Sequence, residues 1–384
     1  MAFIPYGHQV IGDDDLQIVR AVLKSDYLTQ GPYVRKFEEA VAKYCGVKYA
    51  VAVSSGTAAL HLAYLALGVN KGDEAITSPI TFLATSNAAL YVGAKPVFAD
   101  IGFSFPNISV CEIKKKISKR TKVILPVHFS GHPCAMDEIH VIAKTNKCFV
   151  VEDACHALGS KYYHNGQWVT IGSCRHSDMC VFSFHPVKTI TSGEGGMITT
   201  NNKKLYGRLL KLRCHGMEKN KSTEKKGPWY YEMKTLGYNY RMSDMQAALG
   251  FNQLKKISRF IAQRRLILAG YNEAFSDQEN ISVLPELEGC FNAAHLCVLL
   301  IDFKNIGQSR KDFMLDLRSR GVGTQVHYIP VYRQPYYKKL FNLDPNDFPR
   351  SEMYYSRCVS IPLFPTLNQK EIKKVITSIK DMVS

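Results

Sequence analysis

The chain has 384 residues, more than a single core usually supports, so two units with cores of their own are expected. Hydrophobic residues at 46% and charged residues at 21% are ordinary for a globular protein, and no segment is biased enough for disorder. A formal charge of +16 calls for anionic partners, yet the basic residues are dispersed, without the aromatic-interleaved stripe or known module that would mark a nucleic-acid binder.

The start, "MAFIPYGHQVIGDDD", has no basic segment leading into an apolar run, and no uncharged apolar stretch reaches the roughly 18 residues that span a bilayer. A cytoplasmic protein without a membrane partner is expected. The 11 cysteines are an odd number with no CxxC pair, which suits reduced thiols better than a disulfide framework.

From about residue 50 to 200, β-branched runs alternate with amphipathic stretches. "YAVAVSSGTAALHLAYLAL" reads as a strand, a small-residue turn and a helix; "DEAITSP", "KPVFADI", "TKVILPVHF", "CFVVEDA", "DMCVFSF" and "GGMITTN" read as further strands. This alternation predicts an α/β fold with a largely parallel central sheet, in which ligands bind beyond the carboxyl ends of the strands. The run "KKKISKR" (114–120) reads as the solvated face of one helix and "EKNKSTEKK" (218–226) as a mobile loop. One long helix is predicted over 245–275, with Leu249, Leu254, Ile257 and Ile261 on its apolar side. Beyond it, "HLCVLLIDF", "MLDLRSRGVGTQVHYIPVY" and "EIKKVITSIKDMV" predict a smaller α+β unit. The junction lies near 258–280, dividing the chain into 1–255 and 256–384.

Chemistry gathers where two of these strands end. "VVEDACHALGS" carries Asp153 and His156, and Lys188 follows the strand "DMCVFSF" 35 positions after that aspartate. A structural ion pair or a helix cap would use the same residues. They are also what pyridoxal phosphate needs: an amine for its aldehyde and a carboxylate to keep its ring nitrogen protonated. At an effective dielectric of about 20, a carboxylate roughly 4 Å away favours the protonated nitrogen by on the order of 4 kcal/mol, enough to decide its state. "SSGTAAL" supplies a helix start whose N–H groups can face a phosphate, assisted by Ser55 or Thr57, and Ser183 adds a hydroxyl. Phe82 is placed either to cover the ring or to fill the core. His128 and His132 are four apart, but Gly131 and Pro133 break any helix that would align them on a metal, so no metal site is expected.

The ordered motifs "SGTAAL", "SPITFLAT", "PVHFSGHPCAMDEI", "VEDACHALGS", "FSFHPVKTITSGEGGMITTN", "GYNYRMSDMQAALGFNQL" and "VGTQVHYIPVY" resemble the DegT/DnrJ/EryC1/StrS nucleotide-sugar aminotransferases. The resemblance implies an aspartate-aminotransferase-like fold (fold type I), pyridoxal phosphate as cofactor, and a homodimer with shared active sites. It makes Lys188 the cofactor's lysine, Asp153 the partner of the ring nitrogen and His156 a neighbour of the ring oxygen. Gly56, Thr57, Ser55 and Ser183 would hold the phosphate and Phe82 would cover the ring. Asn239 would reach the phosphate of the neighbouring subunit. "LTQGPYVRKFEE" and "HPVKTITSGEGG" look most like the pseudaminic acid branch, which implies L-glutamate and a UDP-linked 2-acetamido-2,6-dideoxy-4-keto sugar of the L-arabino series as substrates. Tyr6, Asp26, Tyr27, Leu28, Thr29, His327, Tyr328, Ile329 and Pro330 would contact the sugar nucleotide. Four positions stay open between roles: His185 between proton transfer and packing, Glu194 between a substrate hydroxyl and a nearby base, Arg241 between glutamate and the dimer, and Trp229 between a sugar platform and a dimer loop. Other dTDP- or UDP-sugar 3- or 4-aminotransferases, and a cofactor-binding regulator without turnover, are the alternatives.

Overall fold

The computed structural model describes residues 3–219 and 221–383. All seven predicted strands form one sheet: β1 (Tyr49–Val53), β2 (Glu74–Thr77), β3 (Lys95–Phe98), β4 (Thr121–Leu125), β5 (Phe149–Asp153), β6 (Met179–Ser183) and β7 (Gly196–Thr200). Their spatial order is β1-β7-β6-β5-β4-β2-β3. Strands β2 to β6 pair in parallel, while β7 runs antiparallel between β1 and β6. Successive side chains alternate between two cores: Ala50, Ala52, Cys180 and Phe182 face one, and Val51, Val53, Met179 and Val181 face the other. The helices Pro32–Cys45 and Met136–Thr145 cover the first face, and Gly56–Leu67 and Lys203–Arg213 cover the second. With both faces buried, the strands read as continuous apolar runs, which is why they were legible.

Local signals set the helix ends. Pro32 stands at the first turn of its helix and Gly46 ends it in the left-handed region (φ 70°). Ser55 caps the Gly56–Leu67 helix by accepting the Ala58 N–H at 3.1 Å.

The helix predicted over 245–275 is two helices, Asp244–Leu254 and Ile257–Phe275. No glycine or proline marks the break. Buried Asp15 gathers the Asn252 and Gln253 amides at 2.8 and 2.7 Å and the Lys256 amine at 2.6 Å, and these tertiary bonds hold the turn against helical continuation. The basic run 114–120 also divides: its helix, Val110–Lys116, stops at an extended Ile117, and Arg120 pairs with Glu74 at 2.7 Å. In the segment expected as a loop, Glu218 pairs with Glu232 in a short ladder and Lys221–Glu224 forms one helical turn; Asn220 lies outside the described residues.

The C-terminal unit packs an antiparallel sheet, Ile281–Val283, Cys297–Ile301 and Cys358–Ile361, against the helices Arg310–Ser319 and Gln369–Val383. Ile4 belongs to this core as well, bonded through its backbone to Gly321 and Gly323 at 2.9 and 2.7 Å. The Ile257–Phe275 helix serves both cores. Ile257, Phe260 and Ile261 pack into the larger, and Ile267, Tyr271 and Phe275 into the smaller. Between them Arg264, only 1% exposed, donates to the carbonyls of His295 and Leu363 at 3.2 and 2.8 Å. Among the described residues no helix is long and apolar enough to cross a membrane.

Strand β7 approaches β1 so closely that a Cβ on Gly196 would lie 2.3 Å from the Ser55 carbonyl oxygen. Gly196→Ala should therefore cost roughly 1–3 kcal/mol in denaturant unfolding, as overpacking does. Gly207→Ala, in open space on the Lys203–Arg213 helix, should stabilise by about 0.5–1 kcal/mol.

Candidate active site

A cavity of about 610 Å³ opens at the carboxyl ends of β2, β5 and β6, where the parallel strands predict it. Asp153 is the last residue of β5 and is buried. Its Oδ2 accepts the Thr85 hydroxyl at 2.7 Å and its Oδ1 the Cys155 N–H at 3.2 Å. Thr81 is bonded in turn to Thr85 at 2.7 Å. Asp153 has no cation within ion-pair distance among the described residues, so a buried carboxylate is held only by neutral donors.

Lys188 sits on the loop that leaves β6. The loop is closed at its base by the Phe184 N–H to the Gly195 carbonyl at 2.9 Å, by Ser192 N–H to Phe184 at 3.0 Å, and by the Thr191 hydroxyl on the same carbonyl at 3.0 Å. The Lys188 side chain lines the cavity and its amine has no hydrogen bond among the described residues. Burial pulls its pKa below the usual lysine value, partly opposed by Cys155 and Asp153.

At one end of the cavity the Gly56–Leu67 helix begins. Ser55 satisfies the Ala58 N–H, and the amides of Gly56 and Thr57 are left with no partner among the described residues, as the first turn of a helix requires. Ser183 stands beside them: a Cβ on Gly56 would meet the Ser183 Cβ at 3.0 Å and the Cys155 Sγ at 3.4 Å. This is a cradle for an anion, with two free N–H groups, the positive end of a helix and a hydroxyl.

At the other end His156 links the two units. Its Nδ1 accepts the Ser130 N–H at 3.3 Å and its Nε2 meets the Tyr328 hydroxyl at 3.0 Å. Burial drives the His156 pKa far below its usual value, so the ring is neutral and its single proton is on Nε2. That N–H therefore donates to Tyr328, and the Tyr328 O–H is free to donate into the cavity. His327, bonded to Ser360 at 2.8 Å and packed on Tyr6 at 5.5 Å, is lowered to about 3 by burial.

The cavity thus brings together Tyr6, Ser55, Gly56, Thr57, Phe82, Asp153, His156, Ser183, His185, Lys188, Glu194, His327, Tyr328 and Ile329 from the sequence prediction. Phe82 is 59% exposed at the mouth, which removes the core reading. Asp26, Tyr27, Leu28, Thr29, Asn239 and Pro330 do not line it. Three of the six lie elsewhere: Thr29 bridges Ser243, the Asp244 N–H reaches the Leu28 carbonyl at 2.9 Å, and Asn239 pairs with Cys214, next to a surface groove that holds Cys214 and Arg241. His128 is bonded to Glu152 at 2.9 Å, and His132 accepts the Leu287 N–H at 2.9 Å. Sequence reasoning missed Thr85 and Cys155, although both lie inside quoted motifs, and His295, whose ring is 4.4 Å from that of His156 and which opens the run "HLCVLLIDF", read only as a strand.

Residues 9–380 match the DegT/DnrJ/EryC1/StrS aminotransferase family, and the chain belongs to it. It is 40% identical to the spore coat polysaccharide biosynthesis protein SpsC of Bacillus subtilis, over 99% of this chain and 97% of that one. It is 38% identical to the UDP-4-amino-4,6-dideoxy-N-acetyl-β-L-altrosamine transaminase of Campylobacter jejuni, over 97% and 95%. Among solved structures, PseC of Helicobacter pylori, an aminotransferase of pseudaminic acid biosynthesis, aligns with a TM-score of 0.92 at 32% identity, covering 99% of both chains. The fold is that of fold type I enzymes, the chain is a sugar aminotransferase, and its cofactor is pyridoxal phosphate. An amine without a hydrogen-bond partner and a buried carboxylate without a cation, both among the described residues, together with an anion cradle, fit that group.

The neutral histidines make stability depend on pH. His327 (about 3) and His132 (about 4), with His156 and His295 also lowered, bind fewer protons folded than unfolded below the ordinary histidine value of roughly 6.5. Stability should therefore rise with pH between about 5 and 6.5 and level off above. Urea unfolding across that window checks this, and His327→Gln should flatten the slope.

Proposed function

We propose that this sugar aminotransferase moves the amino group of L-glutamate to the C4 ketone of a UDP-linked 2-acetamido-2,6-dideoxy-L-arabino 4-keto sugar, the reaction expected of a pseudaminic acid enzyme. The observation that carries the chemistry is the unpartnered Lys188 amine in one cavity with Asp153 and the Gly56–Thr57 cradle. The substrate assignment is supported by the Campylobacter relative and by the Helicobacter structure. When bound, pyridoxal phosphate supplies an aldehyde that takes up amino groups and a ring that accepts the electrons of a breaking C–H bond.

The chain's residues divide the work around it. The amides of Gly56 and Thr57 and the hydroxyls of Ser55 and Ser183 would hold the phosphate, and Phe82 would close over the ring. Asp153, fixed by Thr85, would keep a proton on the ring nitrogen. His156 would sit at the ring oxygen. Lys188, freed by the incoming amine, would take the proton from the glutamate Cα and in the second half deliver one to C4 of the sugar; its lowered pKa keeps it ready to accept. The free Tyr328 O–H, with Tyr6, His327 and Ile329, would orient the sugar. His185 and Glu194, both exposed at the mouth, are left for substrate hydroxyls and carboxylates.

A homodimer supplies what one chain lacks. Glutamate and the diphosphate are anions, yet no arginine is among the described residues lining the cavity. The surface beside Thr29 and Asn239 that holds Arg241 would bring a guanidinium group to the cavity of a second copy. The identity to the Bacillus protein favours a second reading, in which the same chemistry serves a different ketosugar destined for a polysaccharide.

Incubating the protein with glutamate and UDP- or dTDP-linked 3- and 4-ketosugars should give amino sugar by ping-pong kinetics from the UDP 4-ketosugar. Lys188→Ala should abolish the product, and after borohydride reduction the peptide carrying position 188 should no longer bear a pyridoxyl mass. Product formed only from another ketosugar would overturn the substrate assignment.

A further inference from the structure

A second groove, of about 400 Å³, runs along the mouth of the reaction cavity and shares a wall with it: Leu83 and Gln334 line both. Its flanks are two exposed tyrosines, Tyr91 at 54%, whose ring meets buried His61 edge-on, and Tyr336 at 63%. Neither hydroxyl has a hydrogen bond among the described residues. Its floor is an oriented amide. Tyr337, buried beneath, gives its hydroxyl proton over the shorter of two contacts to Asn87 Oδ1, at 2.7 Å. The Asn87 carbonyl is thereby engaged and its NH2 is left as a donor to the groove. The side-chain amide of Gln334 is also without a partner among the described residues, at the junction of the two spaces.

Aromatic faces beside one fixed donor and one adaptable amide suit a flat heterocycle that carries a carbonyl. A second sugar would require more polar partners than this wall provides. We propose that the groove takes the keto-pyrimidine base of the nucleoside diphosphate, with the base stacked on Tyr336, its O4 accepting from Asn87 and its N3–H donating to Gln334. The ligand then lies across Leu83 and Gln334 with its sugar ring in the reaction cavity. This rests on the nucleotide-sugar reading above and adds where the nucleotide is recognised. Continuity of the two spaces is the ground for it: a substrate longer than the cavity must leave through the mouth, and this groove continues from it across the Leu83 and Gln334 wall.

The test is titration calorimetry of the cofactor-loaded protein with UDP and with CDP, in which the base O4 is replaced by an amine. Tyr336→Ala, an exposed position that leaves folding intact, should weaken UDP about tenfold, as loss of one base stack does, and raise KM for the nucleotide sugar but not for glutamate. Asn87→Asp exchanges the donor for an acceptor and should shift preference from UDP towards CDP. If UDP binds the unaltered protein but Tyr336→Ala and Asn87→Asp leave its affinity and base preference unchanged, the groove assignment falls while the nucleotide-sugar reading stands. If the unaltered protein does not bind UDP, both fall.

Discussion

A buried carboxylate without a counter-ion is the constraint around which the site is arranged. Asp153 is held by the Thr85 hydroxyl and the Cys155 amide, both neutral. Two hydrogen bonds fix its position, and among the described residues no cation stands within ion-pair distance of it. Lys188 is in the same cavity, but burial favours its neutral form. A protonated ring nitrogen, when the cofactor is bound, would meet this carboxylate, and the lysine beside it would serve as base. Had the two formed a tight ion pair, each would have lost the property that makes it useful.

The fold serves this arrangement by placing its ends. Parallel strands deliver Asp153 and, through β6, Ser183 and Lys188 to one edge of the sheet. The antiparallel β7 then closes the Lys188 loop, and Gly196 allows its backbone to press against Ser55, so the loop with the amine and the helix start of the anion cradle share one backbone contact. The C-terminal unit contributes Tyr328 and His327, tied back to β5 through His156. The larger unit holds the amine, the carboxylate and the anion cradle, and the smaller completes the wall facing them.

The sheet and the central site residues were legible because each depended on local pattern. Apolar runs of four or five residues marked strands buried on both faces, and polar residues after them marked the reactive edge. Lys188, Asp153, Ser183 and Gly56 followed from that rule together with the resemblance. What escaped reading depended on distant partners. The break at Lys255 and Lys256 is set by Asp15, some 240 positions away, and nothing in the local helix pattern announces it. His295 enters the site from a coil at the head of a run read only as a strand. Residues 26–29 were named as substrate contacts, and the structure sets them on a surface outside the cavity, where geometry within one chain cannot give them that role.

The helix shared by both cores has a mechanical consequence. Ile257–Phe275 is anchored by apolar side chains in the larger unit at its start and in the smaller at its end, with the Arg264 guanidinium pinned midway to two carbonyls. Swinging one unit away from the other would have to bend this rod or draw one end out of its core, exposing side chains such as Phe260 or Tyr271. The molecule is thus built as a truss rather than a jaw. An amino donor and a nucleotide-sugar ketone then pass one opening, whose sides this helix ties together.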